Sequence, residues 1–332
     1  MTRPGRSGGA AAGAATRARH DALGELASLP ASAPAGAGWP HPQNCRRLVA
    51  GGLDWHFQHF ACTARRTATG SAAPLALLLH GTGAASHSWR HLAPLMAAGF
   101  EVLAPDLPGH GHTRGPANVD LSLPGMAGAI AQWLQVLGVR PQLLVGHSAG
   151  AAIAARWWLD HVPDAGTLPL VALNAALRPL GGIGRMFSPV ARLLAFNPLV
   201  PAVFSWHAAQ PMVLRRLLAG TGSVIDAEGE RLYAALVADS RHTAGALRMM
   251  ASWELEPLQP LLPRLGAQLH LIAGGADRTL PASESESVHR QVRGSSLTVL
   301  PGLGHLAHEE DAAAVWAAMR AALGADLGAV QG

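Results

Sequence analysis

The sequence predicts an α/β domain, a mostly parallel sheet with helices on both faces that is interrupted once by a helical cap, and three observations lead there. Short runs that read as buried strands alternate with helical stretches between residues 75 and 174, the order in which helical crossovers stack parallel strands. The strand signal stops from Arg178 to Pro257, where short apolar helical segments replace it, and returns at Gln268–Ala273. A length of 332 residues at 49% hydrophobic is enough for one large core carrying an insertion.

In chain order, residues 1–38 are rich in Ala, Gly, Ser, Pro and Arg without an apolar period, so a flexible extension is expected. The fold is expected to begin near Trp39. Arg46 to Phe60 holds two strand-like segments around Gly51-Gly52, which predicts an opening antiparallel hairpin. Strands follow at Leu75–Leu79, Glu101–Pro105, Gln142–Gly146 and Leu168–Asn174, with helices at Pro124–Leu137 and Ala149–Asp160. The region 178–257 is expected to be a mobile cap with helices at Ser188–Leu194, Met212–Leu218 and Glu228–Ala238. Its apolar run Leu193–Leu214 is broken by Pro198, Pro201 and Pro211, which excludes a regular membrane-spanning helix. Strands return at Gln268–Ala273 and Ser296–Leu300, before a last helix around Glu309–Leu323 and a tail at 326–332. The sheet core is thus assigned to 39–177 and 258–325.

Composition excludes several functions. All 25 basic residues are Arg, scattered along the chain for a net charge of +4, so no basic stripe invites nucleic acid. The absence of Lys removes Schiff-base and phosphate-loop lysine chemistry. Cys45 and Cys62 read as free thiols, and no secretory leader follows Arg3 and Arg6, so a cytoplasmic protein is expected.

The chemistry is concentrated in Leu143-Leu144-Val145-Gly146-His147-Ser148-Ala149-Gly150-Ala151-Ala152. An apolar strand runs through G-x-S-x-G into a small-residue helix, the context in which a sharp turn exposes a serine nucleophile. Glycines at 146 and 150 let strand and helix approach, and the helix N-terminus favours negative charge. A serine hydroxyl needs a base, and the base a carboxylate that orients it. Asp277 follows the strand at Gln268–Ala273 and His305 follows Ser296–Leu300, in the order nucleophile, acid, base. His308, Glu309 and Glu310 are the nearby rivals, read as residues of the first turn of the last helix.

A tetrahedral intermediate also needs donors for its oxyanion. His80-Gly81-Thr82-Gly83 directly follows Leu75–Leu79, so the backbone N–H groups of Thr82 and Ala149 are assigned that role and His80 a bracing one. His110 and His112 lack a full ligand set for a metal. Gly181-Gly182-Ile183-Gly184 lacks the preceding strand of a dinucleotide site. No metal and no cofactor are expected. Trp89, Phe187, Phe204, Trp206 and Trp253 are candidates to line a hydrophobic substrate pocket.

These motifs resemble the α/β-hydrolase superfamily over residues 45 to 325. A narrower likeness is carried by Gly51-Gly52-Leu53-Asp54-Trp55-His56, Ser88-Trp89-Arg90, Leu123-Pro124-Gly125-Met126, Leu303-Gly304-His305-Leu306-Ala307-His308-Glu309-Glu310 and, above all, the cap stretch Phe187-Ser188-Pro189 to Asn197-Pro198-Leu199-Val200-Pro201. Together they are similar to the magnesium chelatase accessory family of bacteriochlorophyll biosynthesis. That resemblance implies a role near magnesium insertion into protoporphyrin, a tetrapyrrole or other hydrophobic substrate, magnesium chelatase subunits as partners, and a place in the cytoplasm or on the edge of the photosynthetic membrane. Three function classes therefore stand at this stage: an esterase-like serine hydrolase, a non-catalytic porphyrin- or chelatase-binding protein on a hydrolase scaffold, and oxygen or peroxide chemistry on the same fold.

Overall fold

Alternation along Leu75–Leu79 sends Leu75, Leu77 and Leu79 into one apolar cluster and Ala76 and Leu78 into another, so this strand is buried on both faces as a parallel strand requires. The structure is a computed structural model that describes residues 24–26, 28–32, 38–64, 73–163, 166–179, 205, 207 and 210–331. Its strands are β1 (Cys45–Ala50), β2 (Leu53–Phe60), β3 (Leu75–Leu79), β4 (Glu101–Pro105), β5 (Leu143–His147), β6 (Leu170–Leu173), β7 (Leu269–Gly274) and β8 (Ser296–Leu300). They form one sheet in the order β1-β2-β4-β3-β5-β6-β7-β8. β2 runs antiparallel to β1 and to β4, and every other pairing is parallel.

The chain leaves β3 for β4 on one side and then crosses to β5 on the other. Such a reversal opens a crevice at the carboxyl ends of the strands, where open α/β sheets hold their sites. Helices α1 (Leu92–Met96), α2 (Leu123–Leu137) and α3 (Ala149–His161) lie in the first half of the chain. Ser122 caps α2 by accepting from the Gly125 amide at 3.2 Å, and Gly138 ends it at φ 67°. Trp55 stacks on Trp133 of α2 with ring centroids 5.3 Å apart, which anchors the hairpin to the face carrying α2 and α3.

Between β6 and β7 no strand occurs among the described residues; α4 (Pro211–Gly220), α5 (Ala227–Ala238) and α6 (Ser240–Ala251) lie there instead. Asp226 caps α5 by accepting from Gly229 N at 2.7 Å. The helix expected at Ser188–Leu194, most of the extension 1–38 and the end of the tail lie outside the described residues. After α7 (Ala282–Gln291), the single last helix expected from Glu309 is in fact two pieces, α8 (Ala307–Glu310) and α9 (Ala312–Gln331). The break is at Asp311, whose backbone is non-helical and whose carboxylate accepts from Ala314 N at 2.9 Å.

The loops at the carboxyl edge are held by polar groups taken out of water. Asp106, at the end of β4, is wholly buried and accepts from His56 Nδ1 at 2.8 Å, His112 N at 2.7 Å and Ser86 N at 2.7 Å. Burial disfavours charge on His56, but the Asp106 carboxylate outweighs it and holds the imidazole at about 9. Seven other histidines, His80, His87, His110, His112, His147, His242 and His308, are pushed below their ordinary value chiefly by burial.

These two groups act oppositely on stability. The seven are neutral in the fold and take up protons on unfolding once pH drops below about 6.5, so the unfolded chain binds more protons and stability falls with pH by about 1.4 kcal/mol per unit per histidine. Glu309, raised to about 7 by burial, opposes this with one proton. His56 is raised, so its contribution is complete below about 6.5 and is lost as pH rises through about 9. Thermal unfolding is therefore expected to give a melting temperature that peaks between these limits and is markedly lower at pH 5.5 than at 7.5. A flat profile from pH 7.5 to 5.5 would show that these histidines are not held neutral in the fold.

Candidate active site

Ser148 sits between β5 and α3 at φ 52° and ψ −118°, a conformation that costs a non-glycine residue about 1–3 kcal/mol and persists only where the surroundings impose it. Here they do. A side chain at Gly146 would overlap the backbone of Gly150 and Ala151, and one at Gly150 would overlap the carbonyls of Leu79 and His80. The Ser148 amide donates to Leu173 O at 3.0 Å, and its own carbonyl accepts from Ala151 N and Ala176 N, both at 3.1 Å.

Asp277 and His305 project from the loops after β7 and β8 and meet directly: His305 Nδ1 donates to Asp277 Oδ2 at 2.8 Å. The same oxygen accepts from Asn174 Nδ2 at 2.8 Å, while Oδ1 accepts from Thr279 N at 2.7 Å and Leu280 N at 2.8 Å. Burial works against the charged carboxylate, yet His305, the Leu280 amide and Asn174 together hold Asp277 below its ordinary value. An ionised Asp277 leaves the proton of His305 on Nδ1, which makes Nε2 the nitrogen free to act as a base.

The serine and histidine loops are tied through His147, which precedes Ser148. Its Nε2 donates to the His305 carbonyl at 2.9 Å, and the two rings lie 4.8 Å apart. On the other side, Gly81 abuts the site so closely that a Cβ there would lie 3.0 Å from Ser148 Cβ. His80 accepts from Leu107 N at 2.9 Å and bonds Gly81 O at 2.8 Å, bracing the loop that carries Thr82. The Thr82 hydroxyl donates to Met249 Sδ of α6 at 3.6 Å. Ala149 opens α3, so its N–H belongs to the amides that a helix leaves without an internal acceptor.

Several expectations change. Trp89 is wholly buried, its ring 4.6 Å from that of His308, so it supports the site from behind and offers no face to a substrate. Trp253 is half-buried and packs against the cluster that contains Met249 and Leu255. Phe187, Phe204 and Trp206 lie outside the described residues. Glu309 is not a solvated helix-end charge: it is buried, with Oε2 accepting from Arg90 and Oε1 from Tyr233 Oη at 2.8 Å. His308 is likewise wholly buried, 4.5 Å from the His147 ring.

The sequence gives no role to Asn174 or His242. Asn174 leaves the strand at φ 45°, a left-handed conformation that asparagine tolerates better than most residues, and a polar residue ending an apolar strand was the only signal. His242 of α6 accepts from Gly111 N at 2.9 Å and donates to Gly83 O at 3.1 Å. Among the described residues no cluster of three or more His, Cys, Asp or Glu side chains could hold a metal, and no helix is long and apolar enough to cross a membrane.

Comparison with known proteins fits this geometry. A profile of the Alpha/beta hydrolase family matches residues 76–318. The chain is 40% identical over 276 residues to the magnesium-chelatase 30 kDa subunit of Rhodobacter capsulatus, covering 82% of this chain and 92% of that protein. Among solved structures, an alpha/beta hydrolase fold protein from Burkholderia ambifaria matches with a TM-score of 0.66 at 22% identity, over 82% of this chain and 96% of that one. A thermophilic esterase from Thermogutta terrifontis matches with a TM-score of 0.64 at 18% identity, over 87% and 99%.

Asn174 can be tested without any substrate. Asn174→Ala removes one donor from the buried Asp277 carboxylate and puts alanine in a left-handed conformation, so chemical denaturation should show a loss of about 2–4 kcal/mol. A loss below about 0.5 kcal/mol, the scale of an ordinary surface substitution, would mean that Asn174 does not support the Asp277 carboxylate.

Proposed function

The chain belongs to the α/β-hydrolase family, and from that premise we propose that it is a serine hydrolase, esterase-like, working through an acyl-enzyme on a hydrophobic substrate. The observation that carries this reading is the Asp277–His305 hydrogen bond at 2.8 Å on the same sheet edge as the strained Ser148. Ser148 Oγ attacks the substrate carbonyl while its proton passes to His305 Nε2. Asp277 remains ionised and stabilises the imidazolium through Nδ1. The oxyanion accepts from the Thr82 and Ala149 amides, and its collapse expels the alcohol, which takes the proton from His305. Water then repeats the sequence on the acyl-serine and releases the acid. Residues 178–257 serve in this reading as a cap over the site.

The 40% identity to a protein named as a magnesium-chelatase subunit supports placing this activity beside magnesium insertion, with a tetrapyrrole ester as a candidate substrate. The same name favours a second reading, in which the protein binds a porphyrin or chelatase subunits and the triad is idle.

Labelling by a serine-directed fluorophosphonate, together with p-nitrophenyl ester hydrolysis, separates these readings. Ser148→Ala should abolish labelling and lower kcat on the order of a million-fold. Asp277→Asn should lower kcat by about three to four orders of magnitude with the fold intact. In a bacterium that makes bacteriochlorophyll with this gene, Ser148→Ala should impair pigment formation as a deletion does. Normal pigment in the Ser148→Ala strain, with none in the deletion, would refute a catalytic role in the cell and leave the binding reading.

A further inference from the structure

The inserted region does more than cover the sheet edge, because the short loop between α4 and α5 is bonded to the backbones that carry both the acid and the base. The Thr221 carbonyl accepts from the His305 amide at 3.3 Å and from the amide of Arg278, the neighbour of Asp277, at 3.1 Å. One oxygen thus bridges the two loops whose side chains form the Asp277–His305 bond. Two residues on, Ser223 Oγ accepts from Leu306 N at 2.8 Å. The carboxylate of Glu310 closes the contact, accepting from Val224 N at 3.1 Å with one oxygen and from Gly304 N at 2.8 Å with the other.

These backbones touch with no room for a side chain. A Cβ at Gly222 would overlap the Ala276 carbonyl, and one at Gly304 would overlap Gly222 and the Ser223 amide. Gly222 is also at φ +83°, a region open to glycine at little cost. The chain therefore has glycine on both sides of an interface between the insertion and the histidine loop.

An ion cluster built on the buried Arg90 and Glu309 fastens the far end of the same loop. Arg90, from the segment after the oxyanion loop, bonds the Glu309 carboxylate with one amino group and Asp226 with the other at 2.8 Å. Asp226 ends the loop and caps α5, and Tyr233 of α5 donates to Glu309 at 2.8 Å. Arg90 and Glu309 are both buried, so removing either partner would strand a charge out of water. A groove of about 750 Å³ runs along the outside past Arg90, Val224, Asp226 and Glu310, and none of Ser148, Asp277 and His305 lines it.

We propose that the loop Thr221–Asp226 is a positioning element of the active site: it holds the loops of Asp277 and His305 in register, and the Arg90–Glu309–Tyr233–Asp226 cluster locks it in place. This rests on the reading of those two residues as acid and base. A loop engaged in this way cannot swing away with a lid without releasing the base, so any opening of the site must come from other parts of the insertion.

The test compares Gly222→Ala, which pushes the loop off Ala276, Ser223→Ala, which removes the acceptor for Leu306 N, and Val315→Ala, a buried position in α9 that makes none of these hydrogen bonds, as a control for general destabilisation. Gly222→Ala is expected to lower kcat for a p-nitrophenyl ester at least tenfold with KM within twofold, and Ser223→Ala to lower it severalfold. Val315→Ala should leave kcat unchanged. In parallel, the His305 Nδ1 proton shared with Asp277 should give a far-downfield proton NMR signal in the wild-type protein, lost or broadened in Gly222→Ala and kept in Val315→Ala. Wild-type kcat and an unaltered signal in both loop variants would overturn the proposal, as would an equal loss of kcat in Val315→Ala. Should the wild-type protein neither label with fluorophosphonate nor hydrolyse esters, the hydrolase reading fails by itself, and the NMR comparison still decides whether the loop positions the pair.

Discussion

The site depends first on how closely β5 and α3 can approach around Ser148. A nucleophile at the tip of a turn this tight must adopt a backbone conformation that its side chain disfavours, and the surrounding contacts must hold it there. Gly146 and Gly150 make this feasible, because any Cβ at either would meet backbone atoms that cannot move. Once the turn is fixed, the Ser148 amide and carbonyl are bound to β6 and to the segment after it, so Ser148 cannot shift without disturbing the centre of the sheet.

Around that point the molecule uses polar groups where an ordinary core would be apolar. Asp106 gathers β2, the loop after β4 and the loop before α1, Asn174 joins β6 to Asp277, and His147 joins β5 to His305. Buried polar pairs of this kind add little net stability, because desolvation offsets most of their attraction. Their geometry is directional, however, and an unpaired alternative is costly. That suits an edge where six loops must be placed to within a fraction of an ångström and apolar contact alone would let them slide.

The inserted region meets this edge on two sides. α6 touches the loop that carries Thr82, where His242 bridges Gly83 and Gly111 and Met249 receives the Thr82 hydroxyl. The loop before α5 touches the loops that carry Asp277 and His305. The described part of the insertion is thus joined by hydrogen bonds both to the loop that carries Thr82 and to the loops of Asp277 and His305.

The sequence by itself determined the mostly parallel sheet, where its strands fall along the chain and the three residues of the candidate triad. Each of these is written locally: a run of β-branched and leucine residues between turns, a glycine pair around a serine, an Asp or His just past a strand. The element boundaries needed only small changes, as where Asn174 turns out of β6 instead of ending it and Asp311 splits the last helix. The tertiary structure alone decided which partners those residues have. Glu309 and Glu310 are adjacent in the chain, yet one is buried against Arg90 and Tyr233 and the other binds two amides; Trp89 looks like a pocket aromatic and is core. Asn174 and Asp277 are separated by 103 residues, and Thr221 reaches His305 through a carbonyl, a group every residue has. No spacing or residue type announces such a contact, because what makes it is the shape of the folded backbone and not the identity of the side chain.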